Sequence, residues 1–239
     1  MTERIDEDDA RIVAQFVEID RDGEPMRAYY AAPRHLQSET PCVVLAMHLF
    51  GIDANQRETA RRFASCGFAA VVPDLYARFD APDGDGSSDH HAFLPFARGL
   101  SAETVDPDIA AAACWLRARV PGTKMAIAGF CMGGVVAMRR SVGYAGTFDA
   151  VAAWYGLSPD VDPANVDIPI GASYGADDAG IPVARVEAFR SGLRVRNDVK
   201  IYPRAGHAFC DSTRAAYEPV AAEDSWQRTL AFLRINLSS

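Results

Sequence analysis

Short apolar runs that alternate with amphipathic segments constrain the fold of this chain more than any other feature. After Pro41, six nearly continuous apolar runs occur, each of the length expected for a buried strand. They cover residues 43–47, 69–72, 125–128, 151–154, 170–174 and 199–201. Amphipathic segments with helical periodicity lie between or after them, at residues 55–66, 107–119, 132–142, 183–193 and 221–233. This alternation predicts βαβ units, and therefore an α/β fold with a mostly parallel sheet and helices on both faces.

The first forty residues follow a different pattern. Apolar residues alternate with other residues at 12–16, Asp22-Gly23 is typical of a tight turn, and residues 26–31 fit a returning strand. We therefore expect an N-terminal antiparallel hairpin beside the parallel sheet. Residues 1–9 are acidic and are expected to form a mobile tail. Residues 10–239 are expected to be a single domain, because no repeat and no linker-like composition interrupts them.

The charge, the N-terminal sequence and the cysteines indicate which partners and which cellular compartment to expect. The chain has 24 basic and 32 acidic residues, a net charge of −8, and no basic stripe, so neither nucleic acid nor a membrane surface is an expected partner. The N-terminus lacks a secretory signal pattern, and no apolar run approaches the ~20 residues that cross a bilayer. The five cysteines show no metal-ligand spacing, and an odd number suits a reducing compartment. We expect a cytoplasmic protein, and the oligomeric state is left open.

Residues 124–134 carry the strongest chemical signal. An apolar strand runs into Gly-Phe-Cys-Met-Gly at residues 129–133 and then into a helical segment. This Gly-x-Cys-x-Gly pattern is typical of a nucleophile elbow, in which small neighbours let the strand and the helix approach closely. The turn would place Cys131 at a helix N-terminus, where peptide dipoles favour a negatively charged side chain. The backbone N–H of Met132 would then donate to an oxyanion.

Acids and a histidine follow two of the later apolar runs. Asp177 and Asp178 come just after one predicted strand, and His207 follows the next. Because the carboxyl ends of parallel strands meet at one edge of a sheet, these side chains can converge on Cys131. The spacing to Pro182 favours Asp178 over Asp177 as the acid that orients the histidine. The sequence therefore predicts a hydrolase whose cysteine nucleophile is activated by a histidine and an acid.

These motifs resemble the dienelactone hydrolase (carboxymethylenebutenolidase) family of α/β-hydrolases. The matching pieces span roughly residues 40–235 in the family's order: Phe50-Gly51, Arg57-Glu58-Thr59, Pro73-Asp74-Leu75-Tyr76, the Cys131 elbow, Asp177-Asp178 with Pro182, and Ala205-Gly206-His207-Ala208-Phe209. The resemblance implies an α/β-hydrolase fold with Cys131, Asp178 and His207 as the catalytic triad. It also implies that the backbone N–H groups of Leu49 and Met132 form the oxyanion hole. No metal and no organic cofactor is implied, and the expected partner is a small-molecule ester or lactone substrate.

Two positions depart from the family's pattern. Family members often carry a glutamate just before the second oxyanion donor, where this chain has His48. His48 could tune the nucleophile, line the substrate pocket or hydrogen-bond the backbone. Dienelactone-cleaving members hold the substrate's carboxylate with arginines, one of them four residues after the catalytic histidine, where this chain has Asp211. An acid at that position is expected to repel an anionic substrate.

The longest irregular stretch is expected from residue 74 to about residue 106. Its segment 81–88 is rich in glycine and short polar residues, and it follows a strand end where α/β proteins bind ligands, so we interpret it as a lid or binding loop. The candidate pocket residues lie in this loop and near strand ends: His48, Phe50, Arg78, Phe79, His90, His91, Trp154 and Tyr155. No metal site is expected at the adjacent His90 and His91, because neighbouring side chains rarely point at one ion.

Three functions are compatible with these residues. The leading hypothesis is a cysteine-dependent hydrolase of small carboxylic esters or lactones. The same triad could act on another acyl or phosphoryl electrophile, because the fold and the elbow do not define the leaving group. The third hypothesis is a redox-sensing or ligand-binding protein on the hydrolase fold, and it is motivated by His48 at the place of the usual acid.

Overall fold

The computed structural model describes residues 4–87 and 89–238, and within them the chain divides into two units, 4–123 and 124–238. The strands are β1 (Ile12–Arg21), β2 (Glu24–Pro33), β3 (Cys42–Ala46), β4 (Ala69–Pro73), β5 (Met125–Phe130), β6 (Ala150–Trp154), β7 (Ile170–Gly175) and β8 (Asn197–Tyr202). The helices are α1 (Ala54–Ser65), α2 (His90–Gly99), α3 (Ala102–Arg119), α4 (Met132–Arg139), α5 (Val183–Gly192) and α6 (Pro219–Leu237), with a 3-10 turn at Pro163–Asn165. None of these helices is both long and apolar enough to cross a membrane.

In the unit 4–123, β1 and β2 form the expected antiparallel hairpin, paired along all ten residues of each strand. Asp22 (φ 54°) and Gly23 (φ 89°) form its turn, and both adopt the left-handed conformation that two-residue hairpin loops favour. β2 pairs antiparallel with β4, and β4 pairs parallel with β3. Every residue of β3 and β4 is buried, which accounts for their continuous apolar sequence.

In the unit 124–238, the four strands β5 to β8 are parallel neighbours in sequence order. Helix α4 packs against β5 and β6, helix α6 packs against β5, β6 and β7, and helix α5 packs against β8. All residues of β5, β6 and β7 are buried, so these three predicted buried strands are confirmed, whereas only Val199 and Tyr202 of β8 are buried. The loops that follow β5, β7 and β8 leave the same edge of this parallel sheet. The expectation that the two units form a single domain stays a prediction.

The connection between β4 and α3 contains more regular structure than expected. Helix α2 occupies its second half, and α3 begins more than a turn before the predicted start at residue 107. Asp89 is the N-cap of α2, because its carboxylate accepts a hydrogen bond from the backbone N–H of His91. The prediction was wrong because proline favours helix starts, whereas Pro95 and Pro107 lie inside these helices.

The acidic N-terminal segment contacts the rest of its unit. The side chain of Ile5 is 3% exposed, and its carbonyl accepts a hydrogen bond from the guanidinium of Arg61 (2.6 Å). Glu7 pairs with Arg61 at 3.2 Å and accepts from the hydroxyl of Tyr29. The segment therefore buries an apolar side chain, and the mobility expected for residues 1–9 stays a prediction. Residues 1–3 of the predicted tail lie outside the described residues.

Candidate active site

Cys131 lies on the turn between β5 and α4. It has φ 52° and ψ −117°, a conformation that residues with a side chain rarely adopt. Its N–H donates to the carbonyl of Trp154 (3.0 Å), and its carbonyl accepts from the N–H of Val135 in the first turn of α4 (3.0 Å). The backbone of Cys131 is therefore held between β6 and α4, as the strained strand-to-helix turn requires.

Close backbone approach explains the glycines around Cys131. A Cβ atom on Gly129 would lie 2.2 Å from the carbonyl oxygen of Gly133. A Cβ atom on Gly156, in the segment after β6, would lie 2.5 Å from Cα of Gly134 and 2.6 Å from the carbonyl oxygen of Cys131. Only glycine fits at both positions without backbone movement. Sequence reasoning missed Gly156, whose only signal is its place just after a buried strand.

The structure brings the imidazole of His207 between Cys131 and Asp178. Its Nε2 atom is 3.1 Å from Sγ of Cys131, and its Nδ1 atom is 2.7 Å from Oδ2 of Asp178. The side chain of Asp178 is only 2% exposed, and its Oδ1 accepts from the backbone N–H of Gly180 (2.9 Å). The carboxylate is thus oriented by two hydrogen bonds, and the histidine links it to the sulfur.

The loops that carry Asp178 and His207 are tied to each other by backbone contacts. The N–H of Asp177 donates to the carbonyl of Ala205 (2.9 Å). A Cβ atom on Gly175 would lie 2.2 Å from the same carbonyl oxygen, so glycine permits the approach. Of the two adjacent acids, Asp177 contributes its backbone to this contact and Asp178 directs its carboxylate at the imidazole.

The surroundings of His207 favour its protonated form. Burial alone would lower the pKa of this imidazole, but the hydrogen bonds and negative charges of Cys131 and Asp178 outweigh burial and raise the pKa of His207 to about 9. An imidazolium donates from both ring nitrogens, so Nδ1–H can bond the carboxylate while Nε2–H faces the sulfur. The side chain remains 42% exposed, so solvent can reach it.

The two aromatic residues at the end of β6 have different surroundings. Trp154 is 1% exposed, its ring stacks on Phe130 with 4.3 Å between ring centres, and its Nε1 donates to Oγ of Ser225. The prediction that Trp154 lines a pocket is therefore wrong, because its indole is enclosed in the core. Tyr155 is 3% exposed, and its ring centre lies 5.0 Å from that of His207. Tyr155 thus packs against the histidine.

In the unit 4–123, the loop after β3 carries His48, Leu49 and Phe50. Nδ1 of His48 accepts from the backbone N–H of Phe50 (3.1 Å), and its Nε2 is 3.1 Å from Oδ1 of Asp53. Both ring nitrogens therefore face the histidine's own loop, which favours the backbone-bonding role among the three that the sequence allows. The carbonyl of Leu49 accepts from the hydroxyl of Tyr76 (3.0 Å). The role of Leu49 as an oxyanion donor stays a prediction.

Arg78 pairs with a buried acid. Its Nη1 contacts Oδ2 of Asp108 on α3, and Nη1 of Arg21 lies 3.2 Å from Oδ1 of the same carboxylate. Asp108 is 0% exposed, and a buried carboxylate without such partners would be strongly destabilising. The guanidinium of Arg78 therefore neutralises Asp108, and its role as a pocket residue stays a prediction. Sequence reasoning missed Asp108, because two other acids, Glu103 and Asp106, share the start of this helix and nothing local marks Asp108 as the buried one.

The remaining pocket candidates separate into two groups. Phe50 and Phe79 both line a cavity of about 510 Å³ in the unit 4–123, and the ring of Phe50 contacts that of Phe93. His90 and His91 are exposed at the start of α2, with their ring centres 4.0 Å apart, and neither lines this cavity. In the described part of the chain, no group of three or more His, Cys, Asp or Glu side chains is arranged to hold a metal ion.

Asp211, the acid at the position of a family arginine, is buried rather than open to substrate. It is 6% exposed, and its Oδ1 accepts from the backbone N–H (2.9 Å) and the hydroxyl (2.6 Å) of Thr213. Its Oδ2 lies 3.4 Å from Nε of Arg214. The expected repulsion of anionic substrates loses its basis, because this carboxylate has a cation and two hydrogen-bond donors of its own.

The fold, together with a cysteine on a strained strand-to-helix turn, defines this protein as an α/β-hydrolase. The chain belongs to the dienelactone hydrolase family, whose model matches residues 26–237. The resemblance noted in the sequence is confirmed, and the protein is a dienelactone hydrolase-like hydrolase.

Individual relatives agree with this assignment. A protein of Escherichia coli K12 named "Putative carboxymethylenebutenolidase" is 33% identical over an alignment of 248 positions, which covers 95% of this chain and 88% of that protein. A Bradyrhizobium protein named "Probable 2-oxo-3-(5-oxofuran-2-ylidene)propanoate lactonase" is 29% identical over 241 residues, which cover 95% and 96%. The crystal structure of a "Putative Dienelactone Hydrolase" from Klebsiella pneumoniae is 31% identical and superposes with a TM-score of 0.78, covering 93% of this chain and 98% of that one.

Proposed function

We propose that this protein is a cysteine-dependent hydrolase of small carboxylic esters or lactones, with Cys131, His207 and Asp178 as its catalytic triad. The observation that carries the proposal is the imidazole of His207, 3.1 Å from the sulfur and 2.7 Å from the carboxylate. The raised pKa of His207 supports an imidazolium beside the sulfur of Cys131 in the resting enzyme. The similarity to a protein named as a lactonase supports esters and lactones as the substrate class.

In the first half of the proposed reaction, the thiolate of Cys131 attacks the carbonyl carbon of the substrate. A carbon–sulfur bond forms, and the carbonyl oxygen becomes an oxyanion. The backbone N–H of Met132, at the start of α4, is the proposed first donor to this oxyanion, and the N–H of Leu49 is the proposed second donor. The imidazolium of His207 gives its Nε2 proton to the departing alkoxide as the carbon–oxygen bond breaks, leaving a thioester on the enzyme.

In the second half, water hydrolyses the thioester. Neutral His207 takes a proton from the water, whose oxygen attacks the thioester carbonyl, and the breaking carbon–sulfur bond returns the thiolate. Asp178 accepts the Nδ1–H bond throughout, which maintains the tautomer and stabilises the imidazolium. Hydrolysis of the thioester is the more demanding half, because attack by the intrinsically nucleophilic thiolate is fast.

The test is a panel of small aryl esters, lactones and one phosphotriester, assayed with the wild type, Cys131→Ala and Cys114→Ala. Cys114 is an exposed thiol on α3 and serves as the matched control. We expect multiple turnovers of esters or lactones by the wild type and Cys114→Ala, and a loss of at least about 10³-fold in kcat for Cys131→Ala.

Each other result favours a different conclusion. Full activity in Cys131→Ala would contradict the triad. Turnover of the phosphotriester alone would support the second hypothesis, in which the same residues act on a phosphoryl electrophile. Tight ligand binding or reversible oxidation of Cys131 without any turnover would support a binding or redox-sensing protein.

A further inference from the structure

His207 lies in a segment without helix or strand, between β8 and α6, so tertiary contacts must hold its imidazole. Arg204 (φ 62°) and Ala208 (φ 64°) both adopt the left-handed conformation, one on each side of the histidine. Residues with a side chain keep such a conformation only where surrounding contacts enforce it. On the N-terminal side, the bond from the N–H of Asp177 to the carbonyl of Ala205 supplies such a contact.

On the C-terminal side, the contacts converge on Asp211. Its N–H donates to the carbonyl of Ala208 (2.9 Å), the residue that follows His207. Its buried carboxylate accepts the N–H and the hydroxyl of Thr213 through Oδ1 and faces Arg214 through Oδ2. The backbone N–H of Asp211 therefore closes a turn at residues 208–211, and its side chain closes the next turn at residues 211–214.

We propose that Asp211 is a positioning residue for His207. By closing the turn at residues 211–214, its carboxylate holds in place the backbone N–H that bonds the carbonyl of Ala208, and so keeps the imidazole in line between Cys131 and Asp178. The acid thus acts on the position of the histidine. The consequence for turnover rests on the proposed function, but the consequence for the imidazole does not.

The two carboxylate oxygens of Asp211 have different partners, so a substitution can remove the charge and keep the hydrogen bonds. Oδ1 accepts both bonds from Thr213, and an asparagine keeps an oxygen acceptor there. Oδ2 supplies the charge that faces Arg214, which asparagine lacks. If closing the turn is what matters, Asp211→Asn preserves the position of His207 and Asp211→Ala does not.

The experiment compares Asp211→Ala, Asp211→Asn and Asp162→Ala with the wild type. Asp162 is the matched control, because it makes the same local hydrogen bond. Its Oδ1 accepts from the backbone N–H of Ala164, and Oδ1 of Asp211 accepts from the backbone N–H of Thr213, in each case two residues later. One measurement is an NMR titration of ¹⁵N-labelled histidine, with the His207 signal assigned from His207→Ala. The other is kcat and KM on the best ester or lactone, with kcat normalised to the alkylatable thiol of Cys131.

We expect Asp211→Ala to move the pKa of His207 from about 9 toward 6.5, because a displaced imidazole loses part of its contact with the thiolate and the carboxylate. We expect kcat to fall roughly tenfold with KM changed less than about threefold, because a small misplacement of a catalytic group affects chemistry more than binding. Asp211→Asn and Asp162→Ala are expected to stay close to the wild type in both measurements.

Three results would overturn the proposal. They are an unchanged His207 titration in Asp211→Ala, a loss of activity that disappears after normalisation to titrated Cys131, and a loss in Asp211→Asn as large as in Asp211→Ala. If the wild type hydrolyses no ester or lactone, the proposed function fails, while the titration still decides the role of Asp211.

Discussion

Each unit of this protein contains a histidine paired with an aspartate, and the two pairs differ in what the second ring nitrogen faces. In the unit 124–238, Nδ1 of His207 lies 2.7 Å from Asp178 and its Nε2 faces the sulfur of Cys131. In the unit 4–123, Nε2 of His48 lies 3.1 Å from Asp53, and its Nδ1 is occupied by a backbone N–H. Only the first arrangement directs the second ring nitrogen at the sulfur of a cysteine.

The two histidines also differ in exposure, and the two aspartates differ in their other partners. The side chain of His48 is 8% exposed, against 42% for His207. Asp53 is the N-cap of α1, and its Oδ1 accepts from the backbone N–H of Gln56, so it serves the helix as well as the histidine. The comparison teaches that a histidine–aspartate contact becomes a site for proton transfer only when its other nitrogen meets a reactive group that solvent and substrate can reach.

The largest expected effect is the difference in kcat between alanine variants of the two histidines. We expect His207→Ala to lower kcat by about 10³–10⁴-fold, because both proton transfers of the proposed reaction use this imidazole. His48→Ala should stay within about tenfold of the wild type, because its Nδ1 accepts a backbone N–H and its Nε2 faces Asp53 rather than a nucleophile. Steady-state kinetics on the best ester would measure both, and equal losses in the two variants would remove the distinction between the pairs.

The second effect is the difference in kcat between asparagine variants of the two aspartates. Asp178→Asn is expected to lower kcat by about 10²-fold or more, because the amide permits the wrong imidazole tautomer and no longer stabilises the imidazolium. Asp53→Asn is the control, since asparagine is also a good N-cap, and its kcat should stay near that of the wild type. If Asp178→Asn kept the activity of the wild type, the acid would be dispensable to the proposed mechanism.

The pH dependence should report the imidazolium of His207 directly. The pKa of His207 is raised to about 9, so kcat/KM for an alkyl ester is expected to hold up to that pH and then to fall about tenfold per pH unit as the proton for the leaving group is lost. His48→Ala retains His207 and should keep the same alkaline limb. A limb centred near pH 6.5 would contradict the interaction with Cys131 and Asp178.

The same shift has a stability consequence of defined sign. The folded-state pKa of His207 exceeds its ordinary value of 6.5, so the stabilisation is fully present below about pH 6.5 and is lost as the pH rises through about 9. The difference in Tm between the wild type and His207→Ala should therefore shrink over this interval. Thermal unfolding at half-unit pH steps measures it, and a difference that grew with pH would reverse the assigned sign.

The smallest effect concerns the helix that Asp53 caps. Asp53→Ala should lower the free energy of unfolding by about 1 kcal/mol, because the N–H of Gln56 loses its acceptor. Asp53→Asn should recover most of this loss. Urea unfolding would detect the difference, and an unchanged midpoint in Asp53→Ala would mean that the cap contributes nothing measurable.

Much of the fold was predictable because its central strands are buried on both faces. Strands β3 to β7 are nearly continuous apolar runs, and a run of that kind has few alternatives once helical segments flank it. The start of α3 was placed too late, because a proline favours the first turn of a helix but Pro107 lies further inside. The positions of Cys131 and His207 after strands were also readable, since parallel strands bring their carboxyl ends to one edge.

The surroundings of individual polar and aromatic residues were less predictable. An aromatic at a strand end has the same local sequence whether it lines a pocket or enters the core, and Trp154 enters the core. Arg78 follows a strand as a substrate-binding arginine would, yet its guanidinium is held by Asp108, 30 residues later. The charge of Asp211 was expected to repel an anionic substrate, yet its carboxylate faces Arg214 of the same loop.

The sequence by itself determined that residues 129–133 form a glycine-flanked cysteine turn after a buried strand, and it determined the family to which the chain belongs. Both depend on local pattern and on order along the chain. Only the tertiary structure decided that Asp178 rather than Asp177 meets His207, and that the imidazole reaches the sulfur of a residue 76 positions away. The physical reason is that hydrogen bonds and burial act over a few ångströms in space, so the partner of a side chain is defined only when distant segments pack together.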